Sequence, residues 1–266
     1  ENSSHHQTGI QMHLAILMTN TDESDFADAH PKDGEKFTDL IHLVRPDWTT
    51  EVFAVKDGEF PDDLTGFDGA MITGSPASVL DDAPWVARLL DLIRDMDAAG
   101  LPMFGACFGH QAIALALGGT IGHNPGGWVH GLTHNRMLAR PGWAQDLPDE
   151  VRLYASHVEQ VATLPEGAEI LSESDACDVT SFAIGGRIYT TQHHPEMTAD
   201  FIAALTEELA PAMGPDVAGI ARASLSEPSD MTAFATSIAR FFEQAAAGRS
   251  DGATYPSAAS KSITVT

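Results

Sequence analysis

Residues 101–119 read LPMFGACFGHQAIALALGG. LPMFGA, 101–106, is a short apolar run of the β type. From His110 the chain turns alanine- and leucine-rich and closes on Gly118 and Gly119, as helices often do. A strand that feeds straight into a helix puts one residue on the corner, here Cys107 between Gly105 and Gly109. Two readings of that cysteine stay open on these residues alone. It is a small buried hydrophobe at a strand end, or it is a nucleophile on a sharp elbow. For the second, the flanking glycines remove Cβ atoms that would clash. The N-terminus of the following helix favours thiolate over thiol, and the Phe108 N–H faces an oxyanion formed on attack.

The same alternation recurs around the elbow. LAILM (14–18) reads as a strand, followed by a polar stretch over 19–36 punctuated by Pro31 and Gly34. EKFTDLIHLV reads as a helix with Phe37, Leu40, Ile41 and Val44 on one face, stopping before Pro46. TEVFAV (50–55) and DGAMIT (68–73) are strands, and a helix with Pro84 in its first turn closes at Gly100. Strands alternating with helices imply a parallel sheet covered on both faces. After residue 119 the strands crowd together, and SFAIGGRIYTTQ (181–192) reads as a hairpin around Gly185–Gly186. Two helices finish the chain. One is capped by Thr198; the other begins near Ser229 and carries Phe234, Ile238, Phe241 and Phe242 on one face. Between them, 211–228 carries three prolines and is expected to hold a short helix.

Composition narrows the function. A formal charge of -24 over 266 residues argues against nucleic acid or an anionic membrane as the main partner. No run approaches the apolar length of a membrane span. Two cysteines make no disulfide framework, so a reducing, cytoplasmic setting is the default. Cys177 has no base beside it and reads as structural. Gly126, Gly127 and Trp128 break up His123, His130 and His134, and no cysteine joins them, so neither a metal nor another cofactor is expected.

A thiolate nucleophile needs a base and the base an orienting partner. In QHHPEM (192–197), His194 and Glu196 are two apart across Pro195. Pro195 favours extended angles at His194, which puts both side chains on one face. TGSPAS (73–78) is a turn able to present a backbone N–H at Ser75, and SHVEQV (156–161) brings Ser156 and His157 to a polar loop.

In this order, the G-x-C-x-G elbow with Gln111 four residues on, the S-H-x-E-x-V stretch and the Q-x-H-P-E stretch resemble the class I, triad-type glutamine amidotransferases. The nearest likeness is to stand-alone members similar to the glutaminase part of GMP synthetase. The resemblance covers roughly 12–205. It implies an α/β fold, a flavodoxin-like three-layer sandwich with a mostly parallel central sheet. A loose leader over 1–11, a helical extension packed over 206–247 and a flexible tail over 248–266 would complete the chain. It also implies a triad of Cys107, His194 and Glu196, an oxyanion hole from Phe108 and Ser75, and substrate contacts from Gly74, Gln111, Ser156 and His157. His110, Trp128 and His193 are pocket candidates. The chain departs from the family pattern at Ser75, usually a second glycine; at His193, usually a large apolar residue; and at His110, often Met, Leu or Val.

By the resemblance, Cys107 would cleave the γ-amide of glutamine through a γ-glutamyl thioester. The chain carries no S-G-G-x-D-S loop and no Walker A loop. It is therefore expected to hydrolyse glutamine or a γ-glutamyl amine or peptide itself. The alternative is a glutaminase subunit that hands ammonia to a separate synthetase. A catalytically degenerate binding protein is disfavoured by the intact Cys–His–Glu set. A cysteine esterase is disfavoured because its acid normally precedes its histidine. Oligomeric state is not legible.

Overall fold

The computed structural model describes residues 9–250. Its chain begins with β1 (His13–Leu17), then a short helix α1 (Asp25–Asp28), α2 (Asp33–His42), β2 (Thr49–Phe53) and β3 (Gly69–Ile72). Next come α3 (Pro84–Ala98), β4 (Met103–Ala106) and α4 (Phe108–Ala116). A strand-rich stretch follows: β5 (Thr120–His123), β6 (Val129–Met137), β7 (Glu150–His157), β8 (Glu159–Thr163), β9 (Ala168–Ser174), β10 (Cys177–Ile184) and β11 (Ile188–Thr191). Helices α5 (Ala199–Met213), α6 (Pro215–Ser224) and α7 (Met231–Ser250) close the described chain.

Among the described residues, nine strands form one sheet in the order β2-β1-β3-β4-β11-β10-β9-β6-β7, and β5 pairs with β8 separately. The first five are parallel. With β11 in fifth place, they reproduce the flavodoxin-like order. The remaining four join antiparallel. β11 therefore serves twice, as the return of the glycine hairpin and as the parallel neighbour of β4.

Alternation along β1 sets the layers. Leu14 and Ile16 enter one core with Phe37 and Ile41 of α2 and Phe234, Ile238, Phe241 and Phe242 of α7. Ala15 and Leu17 enter the other with Leu89 and Ile93 of α3 and Phe108 and Ile113 of α4. Side chains at successive strand positions point to opposite faces, and a sheet covered on both sides buries both sets. Each large apolar side chain so buried contributes about 1.5–3 kcal/mol.

Several boundaries differ from expectation. Ile10, inside the expected leader, is tied down, because Trp48 Nε1 donates to its carbonyl at 2.8 Å. Residues 1–8 of the expected leader lie outside the described residues. Gly34 lies inside α2 instead of breaking it, and a Cβ there would sit 2.6 Å from Val52 Cγ1, so glycine lets the helix lie close on β2. α5 runs unbroken through the division expected at 205/206 and through Pro211 to Met213. Pro211 supplies no N–H, so the last turn of α5 goes without one bond of the ladder. The helices over 206–247 are not an add-on: α7 completes one outer layer, and Ser224 of α6 accepts the Leu132 N–H of β6. Residues 248–250 belong to α7, and 251–266 of the expected tail lie outside the described residues. No helix among the described residues is long and apolar enough to cross a membrane.

Candidate active site

The C-terminal ends of the parallel strands meet in a cleft of about 670 Å³. Cys107 stands on its floor, between β4 and α4. Its φ of 51° and ψ of −105° make it the single non-glycine residue at positive φ among the described residues. Three contacts clamp it there. Its N–H donates to the Thr191 carbonyl at the end of β11 (2.9 Å), its carbonyl accepts from Gln111 N–H (3.0 Å), and Gly109 N–H donates to the Thr73 carbonyl (3.2 Å). The elbow is too crowded for side chains on either flank. A Cβ on Gly105 would lie 2.6 Å from the Gly109 backbone, and one on Gly109 2.4 Å from the Ile72 carbonyl oxygen.

His194 follows β11 and is pinned by its N–H to the Tyr154 carbonyl of β7 at 2.8 Å. Its Nδ1 donates to Glu196 Oε1 at 2.7 Å, with both residues buried. That bond fixes the tautomer and leaves Nε2 as the nitrogen able to exchange a proton. The Cys107 sulfur lies near enough to the imidazole to act on its charge. Burial works against charge on the ring. The Glu196 carboxylate and the Cys107 sulfur outweigh it, by charge and by hydrogen bond, and hold His194 well above the usual imidazole range.

The other buried histidines go the opposite way. Burial, with a smaller push from His157, takes His110 down to about 3. Burial takes His130 to about 4, with His194 adding to the effect. It takes His157 to about 4 against the opposing Glu159 carbonyl, and holds His193 well below its ordinary value beside His157 and His194. One buried imidazole held charged among four held neutral is the pattern that marks an acid–base group. Burial pushes the Cys177 thiol up to about 11, away from any nucleophilic role.

Gly74 closes the cleft over the imidazole. A Cβ there would sit 2.9 Å from His194 Cε1 and 3.4 Å from Cys107 Cβ. The loop is held by Thr19, at the end of β1, whose hydroxyl donates to the Thr73 or Gly74 carbonyl (2.9 and 3.0 Å). Gly74→Ala therefore displaces the ring and is expected to lower kcat about ten- to a hundredfold. Circular dichroism should be unchanged, and an unchanged kcat would contradict this packing.

Gly74, Ser75, Gln111, Trp128, Ser156 and His157 all line the cleft. The Gln111 amide has spent its N–H groups on the Glu159 carbonyl (2.9 Å) and Gln192 Oε1 (3.1 Å), so it offers only its oxygen to a ligand. Two pocket candidates are misplaced. His110 is fully buried behind the elbow, with Nδ1 on Thr190 Oγ1 at 2.8 Å, and does not line the cleft. His193 is buried against Asn135 Oδ1 (2.8 Å), Thr133 Oγ1 (2.9 Å) and His157 Nε2 (3.3 Å). Extended backbone points successive side chains to opposite sides, so His193 faces away when His194 faces in. Thr19, Thr73 and Glu159 support the cleft without having stood out in the sequence. Glu159 accepts from Ser78 Oγ at 2.8 Å and ties two cleft loops together; its place as the acidic residue of the SHVE stretch was the available signal. Among the described residues no group of three or more His, Cys, Asp or Glu side chains is arranged to hold a metal ion.

Residues 41–201 match the family described as glutamine amidotransferase class-I. The chain is 34% identical to gamma-glutamyl peptidase 3 of Arabidopsis thaliana over 57% of its own length and 64% of that protein's. It thus spans just under two thirds of that relative. It is 35% identical to a subunit of the glutamine-hydrolyzing GMP synthase of Methanosarcina barkeri, over 61% of this chain and 83% of the other. A crystal structure of a glutamine amidotransferase from Thermotoga maritima superposes with a TM-score of 0.70 at 17% identity, covering 88% of this chain and all of that one. That likeness concerns the fold.

Proposed function

Because this chain belongs to the class-I glutamine amidotransferase family, we propose that it is a cysteine-dependent amidohydrolase that cleaves a γ-glutamyl amide. The observation that carries this reading is His194, hydrogen-bonded to Glu196 at 2.7 Å, standing beside Cys107 on a strained elbow. The Cys107 thiolate attacks the γ-carbonyl carbon, and the oxyanion is met by the backbone N–H groups of Phe108 and Ser75. Phe108 opens α4, so helix geometry gives its N–H no partner within the helix. His194 passes its proton to the leaving nitrogen as the C–N bond breaks. A γ-glutamyl thioester remains. Water, deprotonated by His194, attacks it, and the thiolate leaves with glutamate released. Gln111 Oε1 and the Ser156–His157 loop take the amino-acid end of the glutamyl group. Both cysteines are free, which suits a reducing cytoplasmic setting where such a thiolate persists.

The cleft favours a leaving group larger than ammonia. Its volume is in the range that holds drug-sized ligands. The stretch 19–36, from the end of β1 into α2, supplies much of its wall, including Asn20, Phe26, His30 and Lys36. The helices beyond 205 contribute little, with Leu209 as their single lining residue among those described. The test is a panel of γ-glutamyl amides and glutamine, with glutamate and free amine both measured for wild type and Cys107→Ala. Glutamate release by the wild type alone, without a partner and faster from a γ-glutamyl peptide than from glutamine, is the expected result. The likeness to a GMP synthase component supports a second reading, in which ammonia passes to a separate synthetase. Inactivity on the whole panel, reversed by adding a co-purifying synthetase, would favour that reading and overturn the first.

A further inference from the structure

One wall of the cleft is aromatic. Phe26 lies 4.6 Å from His30 and 5.9 Å from Phe201 between ring centroids, and His30 meets Phe201 edge-on at 5.2 Å. Lys36 lies on the same wall, its Nζ 3.5 Å from the centre of the Phe201 ring. Its charge runs against the field of the molecule. The chain has a net charge of -24 and four lysines, yet Lys32, Lys36 and Lys56 all line this one cleft.

The three are not equivalent. Lys56 Nζ already donates to Glu23 Oε1 and to both oxygens of Asp57, which accounts for its three N–H groups. Lys32 has a side chain 49% exposed and a partner, Asp28, still more exposed, so water screens it. The Lys36 side chain is 11% exposed and makes one hydrogen bond, 3.1 Å to Asp33 Oδ1. The other Asp33 oxygen is occupied by Asn20 Nδ2 at 2.8 Å. An ammonium has three donors. Here one meets Asp33 and the Phe201 face attracts the charge, which leaves at least one N–H in the cleft. The carboxylates around it are engaged: Glu23 and Asp57 by Lys56, Asp28 by Lys32, Asp33 by Lys36 and Asn20, and Asp22 by the Ser24 N–H. A largely buried charge with unfilled donors costs free energy that a ligand anion offsets.

We propose that Lys36 receives a carboxylate carried by the leaving amine, so that the preferred substrates are γ-glutamyl amino acids or peptides. The aromatic group of Phe26, His30 and Phe201 flanks the leaving residue's side chain. This deepens the reading of the chain as a γ-glutamyl amide hydrolase and rests on it. The glutamyl end is taken at Gln111 and the Ser156–His157 loop, and the scissile bond sits over Cys107. The leaving group then extends along the wall that carries Lys36.

The test compares γ-glutamylphenylalanine with its carboxamide, γ-glutamylphenylalaninamide, which differ in that one charge, and adds glutamine as a third substrate. For wild type, kcat/KM for the acid should exceed that for the carboxamide about tenfold, the size of one charge-assisted hydrogen bond. Lys36→Met should bring the two within about twofold, chiefly through a raised KM for the acid, and Lys36→Arg should keep a preference for the acid. The wild-type ratio stands whatever the folding of either variant. Equal wild-type rates on acid and carboxamide overturn the role of Lys36 and leave the hydrolase reading intact. An equal loss in Lys36→Met on acid, carboxamide and glutamine places Lys36 in the fold or at the glutamyl end and also overturns the proposal. Release of glutamate from none of the three overturns both readings.

Discussion

Cys107→Gly and Cys107→Ala are both expected to lose activity roughly ten-thousand-fold, and the glycine variant is expected to melt several degrees above the alanine variant. The first part follows from removing the nucleophile, since what remains is binding and the oxyanion donors. The second follows from the backbone. At φ 51° and ψ −105°, a Cβ of any kind is strained, at a cost of about 1–3 kcal/mol. Alanine keeps that strain, and glycine removes it. At an ordinary position glycine is the worse choice by roughly 0.5–1 kcal/mol, because it frees the unfolded chain. Here the order should invert, and for a protein of this size each kcal/mol moves Tm by about 2–4 °C. Calorimetry on the two inactive variants isolates strain from chemistry. If alanine melts higher, the elbow stores no strain.

Glu196→Gln is the second large effect. The carboxylate orients the ring through Nδ1 and raises its affinity for a proton. An amide of the same shape does neither reliably, so kcat/KM should fall at least about a hundredfold, and up to the roughly ten-thousand-fold seen when a triad acid is neutralised. The pH profile carries the sign. His194 is held well above the usual imidazole value, so the charged ring needed to protonate the leaving amine persists into alkaline pH. Without the Glu196 charge its proton is lost at lower pH, and the alkaline limb of kcat/KM should shift down by about 1–3 pH units. Linkage gives the matching stability effect. The ion pair stabilises the fold fully below the pKa of a free imidazole, and that contribution is lost as pH rises through the raised value. A profile in Glu196→Gln with an unmoved alkaline limb would assign that limb to another group.

The elbow and the His194–Glu196 pair were legible because their geometry is local. A strand–cysteine–helix junction and two residues across a proline need no tertiary information to be placed. The parallel sheet of β1 to β4, covered on both faces, was legible for a similar reason, since alternating apolar strands and amphipathic helices admit few topologies. What stayed hidden depends on contacts far apart in sequence. His193 read as a cleft residue because it adjoins His194, yet the one-residue offset turns it toward Asn135 and His157. His110 sits in the first turn of α4 but on its inner side, against Phe182. The place of α7 in the sandwich could not be read from its apolar face, which says that it packs but not where. The value of Lys36 was hidden too, because it depends on which lysines are already spent.

β11 has a further consequence, for the order in which the chain matures. The elbow is clamped from β11, by the bond from the Cys107 N–H to the Thr191 carbonyl, and the base stands just beyond the same strand. Synthesis delivers the elbow well before either. Until residues 188–196 have emerged and β11 has slotted in beside β4, nothing holds Cys107 in its unfavourable angles or charges an imidazole beside it. The nascent chain therefore carries Cys107 without its clamp and without His194 beside it. Reactivity arrives with the last strand of the sheet, a late non-local pairing of the kind that is slow to form. A chain that stalls before that point has the elbow without its clamp or its histidine, and the Cys107–His194–Glu196 set assembles only in a molecule whose central sheet is already complete.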